Sequence, residues 1–479
     1  MFMYAALILL PIIGAAACWL IPFDRMRPKI LSLFAFAHFG ITLRMLIVTP
    51  PESPGGWFHL DALGKIVLLN TSVLFLICAV YSIGYLYYRR ERSNRLLCMW
   101  LMVCLAAASM VTITHHLGLM WVALETTTIS MAPLIYFNRN ARSIEATWKY
   151  LLICSVGVAL ALIGLYFLAY ATIVARVEPS LLLDDLIREA GKLSSGWIHA
   201  AFVFLLVGFG TKMGLAPLHT WKPDAYGEAP GLVGALLSGG LVNLAFLALL
   251  RVYQICLATK EIIFFQNALI VMGLFSMIMA AIFMARQADF KRMLAYSSVE
   301  NVGIMAVALG LGGKAIFGAL FHVLANGLTK GVLFLSSGNI HRSYNSKSTD
   351  HVRGALRRLP WSGGLFLAGF IAITGSPPFA PFISEFTIIS GAFIQGRMLI
   401  GAIFLISLSI IFIGMAMTVL PMVMGEAPAD SETTSYRDTI GTVGPPLFLL
   451  LMVFVLGIWI PAPLMTLLRD ASALLEVCQ

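Results

Sequence analysis

Charge is the first thing this chain has little of. Only 11% of its 479 residues are Asp, Glu, Lys or Arg, where soluble domains carry roughly 25%. With 59% hydrophobic residues and a mean hydropathy of +0.90, that deficit excludes a soluble globular protein. Paired cysteines are missing too. The seven cysteines (Cys18, Cys78, Cys98, Cys104, Cys154, Cys256 and Cys478) show no CxxC spacing, and six lie in or beside apolar runs. Buried small hydrophobes are their expected role, and zinc or iron–sulfur ligation on this chain is not expected. Long polar segments are absent as well. No gap between apolar runs exceeds roughly two dozen residues, which leaves no room for a soluble domain holding a flavin, a nicotinamide or a cluster. The opening run, 1–21, has neither a basic n-region nor a small-residue cleavage site and reads as a retained span. The net charge of +9 does not point to nucleic acid, because basic residues in short loops of a membrane protein are topology signals.

What the chain does have is long apolar runs. Stretches of the ~20 residues needed to cross a bilayer occur about 14 times. Their cores are 3–21, 30–48, 65–88, 97–114, 117–137, 146–171, 197–217, 231–254, 262–285, 294–311, 315–340, 362–396, 399–424 and 442–465. Basic residues alternate with this count. Loops after odd-numbered spans hold 19 Lys and Arg, among them Arg89, Arg90, Arg286, Arg342 and, beyond span 7, Lys222. The other side holds 8, including Arg176, Arg251, Lys260 and Arg469. By the positive-inside rule the richer side is cytoplasmic and both termini are non-cytoplasmic. The remaining 5 lie within spans: Arg44, Lys65, Lys149, Lys212 and Lys330. Arg44 and Lys65 are near span ends, where snorkelling explains them. The other three need another reason.

Two spans are interrupted. Thr211-Lys-Met-Gly-Leu-Ala-Pro-Leu-His-Thr-Trp221 sets Lys212, Pro217 and His219 in and beside span 7, and Thr374-Gly-Ser-Pro-Pro-Phe-Ala-Pro-Phe-Ile-Ser-Glu385 sets Pro378 and Glu385 in span 12. Backbone freed by such breaks must be re-satisfied by protein or water, so a broken helix carrying charge reads as a transport site. The interruptions are five spans apart, and an odd offset inverts one copy relative to the other. An inverted repeat follows, spans 4–8 against 9–13, giving segments 1–96 (flanking spans 1–3), 97–256, 257–425 and 426–479 (span 14).

The ionisable groups inside the spans form a file. Glu125 lies about nine residues, or ~13 Å, into its helix, close to mid-membrane. Lys149 follows Glu145 by four residues, the order that suits a helix-surface pair; a structural salt bridge and a lysine that tunes Glu125 are both open readings. Lys212 in an apolar site is dehydrated, which disfavours its charged form, and a nearby carboxylate restores it. A Lys–Glu contact made and broken is thus a proton-affinity switch. His322, Asn326 and Lys330 recur every four residues; each step turns ~40° and rises ~6 Å, so they draw one polar line along span 11. Glu385 begins a half-helix, where the dipole favours a carboxylate and where a proton could exchange with the far aqueous phase. Each such group costs ~2.5–3.5 kcal/mol at mid-membrane, and alternating Glu with Lys offsets that cost as a proton relay requires.

At these residues the chain resembles the antiporter-like proton-translocating membrane subunits of complex I and its relatives. The most specific stretches are 212–225, Asp289-Phe-Lys-Arg-Met-Leu-Ala-Tyr-Ser-Ser298 and Phe334-Leu-Ser-Ser-Gly338. Leu124-Glu125 and Arg142 to Ser155 look most like the hydrogenase-4 component F branch, the energy-converting group 4 nickel–iron hydrogenase and formate hydrogenlyase type. The resemblance implies two inverted five-helix bundles with discontinuous helices 7 and 12, in a bacterial-type inner membrane. It implies proton-pathway roles for Glu125, Lys212, Lys330 and Glu385. It also implies partner subunits that carry the nickel–iron centre and iron–sulfur clusters, with no cofactor or redox chemistry on this chain. Where complex I subunits often have Lys or His in span 8, this chain has Ser238 and Asn243; Lys222 stands where Leu is common, and Tyr226 where His is. The expected crossing between Lys212 and Lys330 therefore runs by water and Asn243. A multisubunit sodium/proton antiporter subunit, a quinone-linked NADH dehydrogenase subunit, a partner in carbon dioxide uptake and a non-conducting structural subunit are the alternatives.

Overall fold

The computed structural model describes residues 2–89, 91–259, 261–285, 287–426 and 434–476. Arg90, Lys260, Arg286 and Cys478, used in the reading above, lie outside the described residues. Among the described residues the regular structure is helical. The helices are α1 (Phe2–Leu20), α2 (Arg27–Ile47), α3 (Ala62–Tyr87), α4 (Arg95–Ile113), α5 (Leu117–Ile135), α6 (Ala141–Val174), α7 (Leu183–Glu189), α8 (Ser195–Met213), α9 (Trp221–Glu228) and α10 (Gly231–Leu236). They continue with α11 (Val242–Leu257), α12 (Ile262–Met284), α13 (Phe290–Leu311), α14 (Lys314–Tyr344), α15 (Ala355–Arg358), α16 (Pro360–Ile373), α17 (Ala380–Ile394), α18 (Met398–Met424), α19 (Ile440–Ile458) and α20 (Ala462–Ala473). Among the described residues thirteen segments are long and apolar enough to cross a membrane, and the shorter apolar helices α16 and α17 together occupy the fourteenth expected span. The expected count of spans holds.

Burial sorts these crossings into a centre and a rim. The 231–257 segment and α13 are buried along their whole apolar window, and α14 nearly so, whereas α1, α2 and α18 bury about a third. Leu33 and Phe36 on α2, Ile406 and Ile413 on α18, and Ile282 on α12 point outward. Apolar side chains on that rim match lipid, where only closed backbone hydrogen bonding survives. Six cysteines are unpaired and buried, as expected of small hydrophobes.

Local chemistry explains the interruptions. α8 ends where Gly214 takes φ +78 and its N–H closes on the Gly210 and Thr211 carbonyls, a left-handed stop that glycine adopts without a Cβ penalty. Pro217 then removes a donor, and the Ala216 N–H is satisfied by Ser276 Oγ at 2.9 Å. The second interruption repeats the order: Gly375 at φ +65, then Pro377 and Pro378, with α17 starting at Ala380. Between α10 and α11, residues Leu237–Leu241 form a π-helical turn. Ser238 Oγ donates to Gly234 O at 2.8 Å, and the Gly239 carbonyl accepts from both Asn70 Nδ2 (2.7 Å) and Asn243 Nδ2 (2.9 Å). Here the chain passes close to α14: a Cβ on Gly239 would lie 2.5 Å from the Gly327 carbonyl oxygen.

Three local expectations are corrected. The chain after Pro217 is not a loop leading out of the membrane but the half-helix α9, with Lys222 buried on it. Its short polar run reads as loop because hydropathy cannot tell solvent from a polar interior. Arg251, counted with the loops, is in α11, fully buried and paired with Asp61. The last span stops at Ile458, and Pro461 precedes a separate helix, α20, whose Leu468 and Ala471 are buried. Lys65 reaches Thr49 Oγ1 (2.6 Å) at its helix end.

Candidate functional site

The interruption between α8 and α9 faces helices α5 and α6 on one side and α13 on the other. Lys212, one residue before the end of α8, is buried and donates to Thr128 Oγ1 (2.5 Å) on α5 and Tyr150 OH (3.4 Å) on α6. The Tyr150 ring also lies under its ammonium, 5.5 Å from the centroid. Glu125, one turn from Thr128 on α5, accepts from Ser155 Oγ at 3.0 Å, and its Oε2 is buried without a hydrogen-bond partner. Thus α5, α6 and α8 bring Glu125 and Lys212 to one interface, but no ion pair joins them among the described residues. Thr128 and Tyr150 take the place of the direct Glu–Lys contact.

Lys149 is placed elsewhere. Its side chain is 45% exposed and pairs with Glu145 (2.6 Å) and with Asp224 (2.9 Å) of α9. The pair lines a charged cleft of about 480 Å³ with Arg142, Glu228, Asp289, Arg292 and Lys347. The structure therefore places Lys149 in a charged cleft, at the expected helix-surface pair with Glu145. His219, in the interruption itself, is buried beside the rings of Phe283 and Tyr296, and its Nδ1 has no hydrogen-bond partner.

The second half of the site is organised by α13, a helix that the sequence reading did not place in the pathway. Lys330 on α14 donates to Ser297 Oγ (2.7 Å) and to the Leu294 carbonyl (3.4 Å). His322, two turns earlier on α14, meets Asn301 Oδ1 through Nε2 (2.8 Å) and Ser384 Oγ of α17 through Nδ1 (2.9 Å). The four-residue spacing thus does put His322 and Lys330 on one face, against α13. Asn326 between them is buried, with Oδ1 unpartnered. Glu385 follows Ser384 and is buried beneath the second interruption, where a Cβ on Gly375 would fall 2.1 Å from its Oε2.

Two buried ionisable residues were missed as members of the file. Glu300, next to Asn301 on α13, is buried; a full count of charges inside spans that takes only Lys and Arg passes over it, and including Asp and Glu finds it. In sequence Lys222 reads as a loop residue near Lys149 at the cytoplasmic entry of the path. Adding both gives three lysines (Lys212, Lys222, Lys330) and three carboxylates (Glu125, Glu300, Glu385), all buried except the partly buried Glu125. Asn243, by contrast, has its amide nitrogen committed to the Gly239 and Val323 carbonyls (2.9 and 3.1 Å), tying the π-turn to α14. Its Oδ1 is buried without a hydrogen-bond partner.

Chemically, such a set can hold and pass protons. Lys212, Lys330 and His322 each bond to hydroxyl or amide side chains, and Glu125 Oε2, Asn243 Oδ1 and Asn326 Oδ1 are buried with lone pairs unused. Among the described residues no cluster of His, Cys, Asp and Glu could hold a metal ion.

Comparison with known proteins agrees with this architecture. A family model described as NADH:quinone oxidoreductase/Mrp antiporter, TM matches residues 114–414. A relative described as hydrogenase-4 component F homolog, from Methylacidiphilum infernorum, is 32% identical, covering 98% of this chain and 99% of that one. A Na(+)/H(+) antiporter subunit of Bacillus subtilis is 26% identical over 94% of this chain and 92% of its own length. Among solved structures, a chain of the archaeal membrane-bound sulfane sulfur reductase superimposes with a TM-score of 0.87 at 22% identity, covering 99% and 98% of the two chains.

Proposed function

This chain belongs to the NADH:quinone oxidoreductase/Mrp antiporter transmembrane family, and on that premise we propose that it conducts protons as a membrane subunit of a complex I-like, hydrogenase-4-type energy-converting complex. The observation that carries this reading is the burial of Lys212, Lys222, Glu300, His322, Lys330 and Glu385 inside the helices, where burial of charge is costly and marks pathways in membrane proteins. Protons enter through the charged cleft at Lys149 and Asp224, on the face that the excess of basic residues assigns to the cytoplasm. They reach Glu125 and Lys212, cross to Lys330 and His322, and leave by Glu385. Partner subunits carry the redox centres, a nickel–iron site and iron–sulfur clusters, and their turnover shifts the proton affinity of Lys212 by moving Glu125 toward or away from it.

The test is Lys212→Met in the purified complex, reconstituted into proteoliposomes. Coupled proton movement is expected to disappear while the complex still assembles; unchanged movement sinks the pathway. Similarity to an antiporter subunit favours a second reading, sodium/proton exchange. Sodium needs several oxygen ligands held together, and a file with three lysines supplies few. Flux that requires sodium would decide for that reading.

A further inference from the structure

Lys222 has the geometry of a carrier and not of a structural cation. It is 0% exposed, yet among the described residues its Nζ has one hydrogen-bond acceptor, the Ser298 carbonyl at 3.2 Å, and no carboxylate partner. An ammonium has three donors, and a buried charge that is neither paired nor fully bonded is costly. A lysine held in place by ion pairs looks different: Lys347 pairs with Glu228 (2.6 Å) and Asp289 (3.8 Å). Lys291 also bonds a backbone carbonyl, that of Ala229 at 3.1 Å, but on the first turn of α13, two residues from Asp289.

Its position is between the two halves of the file. On one flank, a Cβ on Gly214 would lie 2.1 Å from Lys222 Cε and 2.8 Å from its Nζ, so the lysine end rests on backbone two residues from Lys212. Trp221 Nε1 donates to the Thr211 carbonyl (3.0 Å) and locks α9 in that place. On the other flank, Ser298 adjoins Ser297, whose hydroxyl receives Lys330. Asn243, which was expected to bridge, has its Nδ2 engaged with backbone carbonyls, while its Oδ1 is buried without a hydrogen-bond partner.

We propose that Lys222 is the central proton carrier of this chain, joining the Lys212 half of the file to the Lys330 half. The inference rests on the proton-conducting reading above. In the first transfer the Lys212 ammonium gives up one proton and becomes an amine while the Lys222 amine becomes an ammonium. In the second, Lys222 returns to the amine and Lys330 gains the proton. Gly214 is then part of the device, since any side chain there would occupy the space of the Lys222 terminus.

The experiment compares Lys222→Met, Lys222→His and Lys212→Met in the reconstituted complex, with proton flux and yield of assembled complex both measured. Lys222→Met is expected to assemble fully, since it removes an unpaired buried charge, and to lose flux by roughly 100-fold, the scale of a lost proton-transfer group. Lys222→His keeps a titratable nitrogen and is expected to retain flux within roughly tenfold of the parent. Normal flux in Lys222→Met beside a dead Lys212→Met overturns this inference and leaves the proposed function standing. Normal flux in Lys212→Met overturns the proposed function itself. Failure of both Lys222 variants to assemble makes the residue structural and also overturns the inference, as does a histidine variant no better than methionine.

Discussion

Replacing Asp61 by Asn separates a buried ion pair from a helix cap in a single residue. Asp61 caps α3, accepting from Gly64 N at 2.9 Å, and both its oxygens take the Arg251 guanidinium, at 2.5 and 2.7 Å. The side chains are 12% and 1% exposed. Burial alone would push the Asp61 carboxyl up, but the Arg251 guanidinium outweighs it and holds the group well below the usual carboxylate range. Asn caps a helix as well as Asp does, so Asp61→Asn keeps the cap and strands the arginine charge, at a cost of ~3–5 kcal/mol. Asp61→Ala loses the cap too, adding ~1 kcal/mol. Arg251→Met in the Asn background removes the stranded charge and should return most of the loss. A depressed folded-state pKa means the carboxylate contributes fully above its unfolded value, near ~3.9, and loses that contribution as pH falls toward the folded value. The gap between parent and Asp61→Asn is therefore full at neutral pH and narrows in acid. Reversible unfolding in mixed micelles at both pH values measures it. A neutral-pH difference below ~1 kcal/mol, the range of an exposed pair, would refute the reasoning, and so would a double variant as unstable as the Asn single.

Gly239→Ala places a Cβ 2.5 Å from the Gly327 carbonyl oxygen and 2.9 Å from Leu74 Cδ2; backbone cannot yield as a side chain can, so the same unfolding assay should show a loss of ~1–3 kcal/mol. Lys149→Gln removes two ion pairs from a half-exposed cleft. Its stability should stay within ~1 kcal/mol of the parent, and its flux in proteoliposomes should fall less than that of Lys212→Met.

Much of the candidate site could be read before any tertiary contact was known, because its signals are local. Pro217, Pro378 and their preceding glycines interrupt helices wherever they stand, and a lysine or glutamate inside an apolar run is visible by itself. The His322–Lys330 face followed from the pitch of one helix. Partner choice was not local. Lys149 turned to Asp224 in a cleft, Lys212 turned to Thr128 and Tyr150, and α13 became the shared spine because α9 and α14 both pack on it.

The amino-acid sequence by itself determined the membrane class, the number of crossings and the two interrupted spans, since these depend on runs of hydrophobicity and on residues that cannot continue a helix. Only the tertiary structure placed Lys222 on a buried half-helix, against Gly214 on one flank and the Ser298 carbonyl on the other. A short polar half-helix reads as a loop in sequence, because hydropathy registers polarity and not its surroundings. Folded, that half-helix is enclosed by α6 and α13, and the lysine on it has no exposure to solvent.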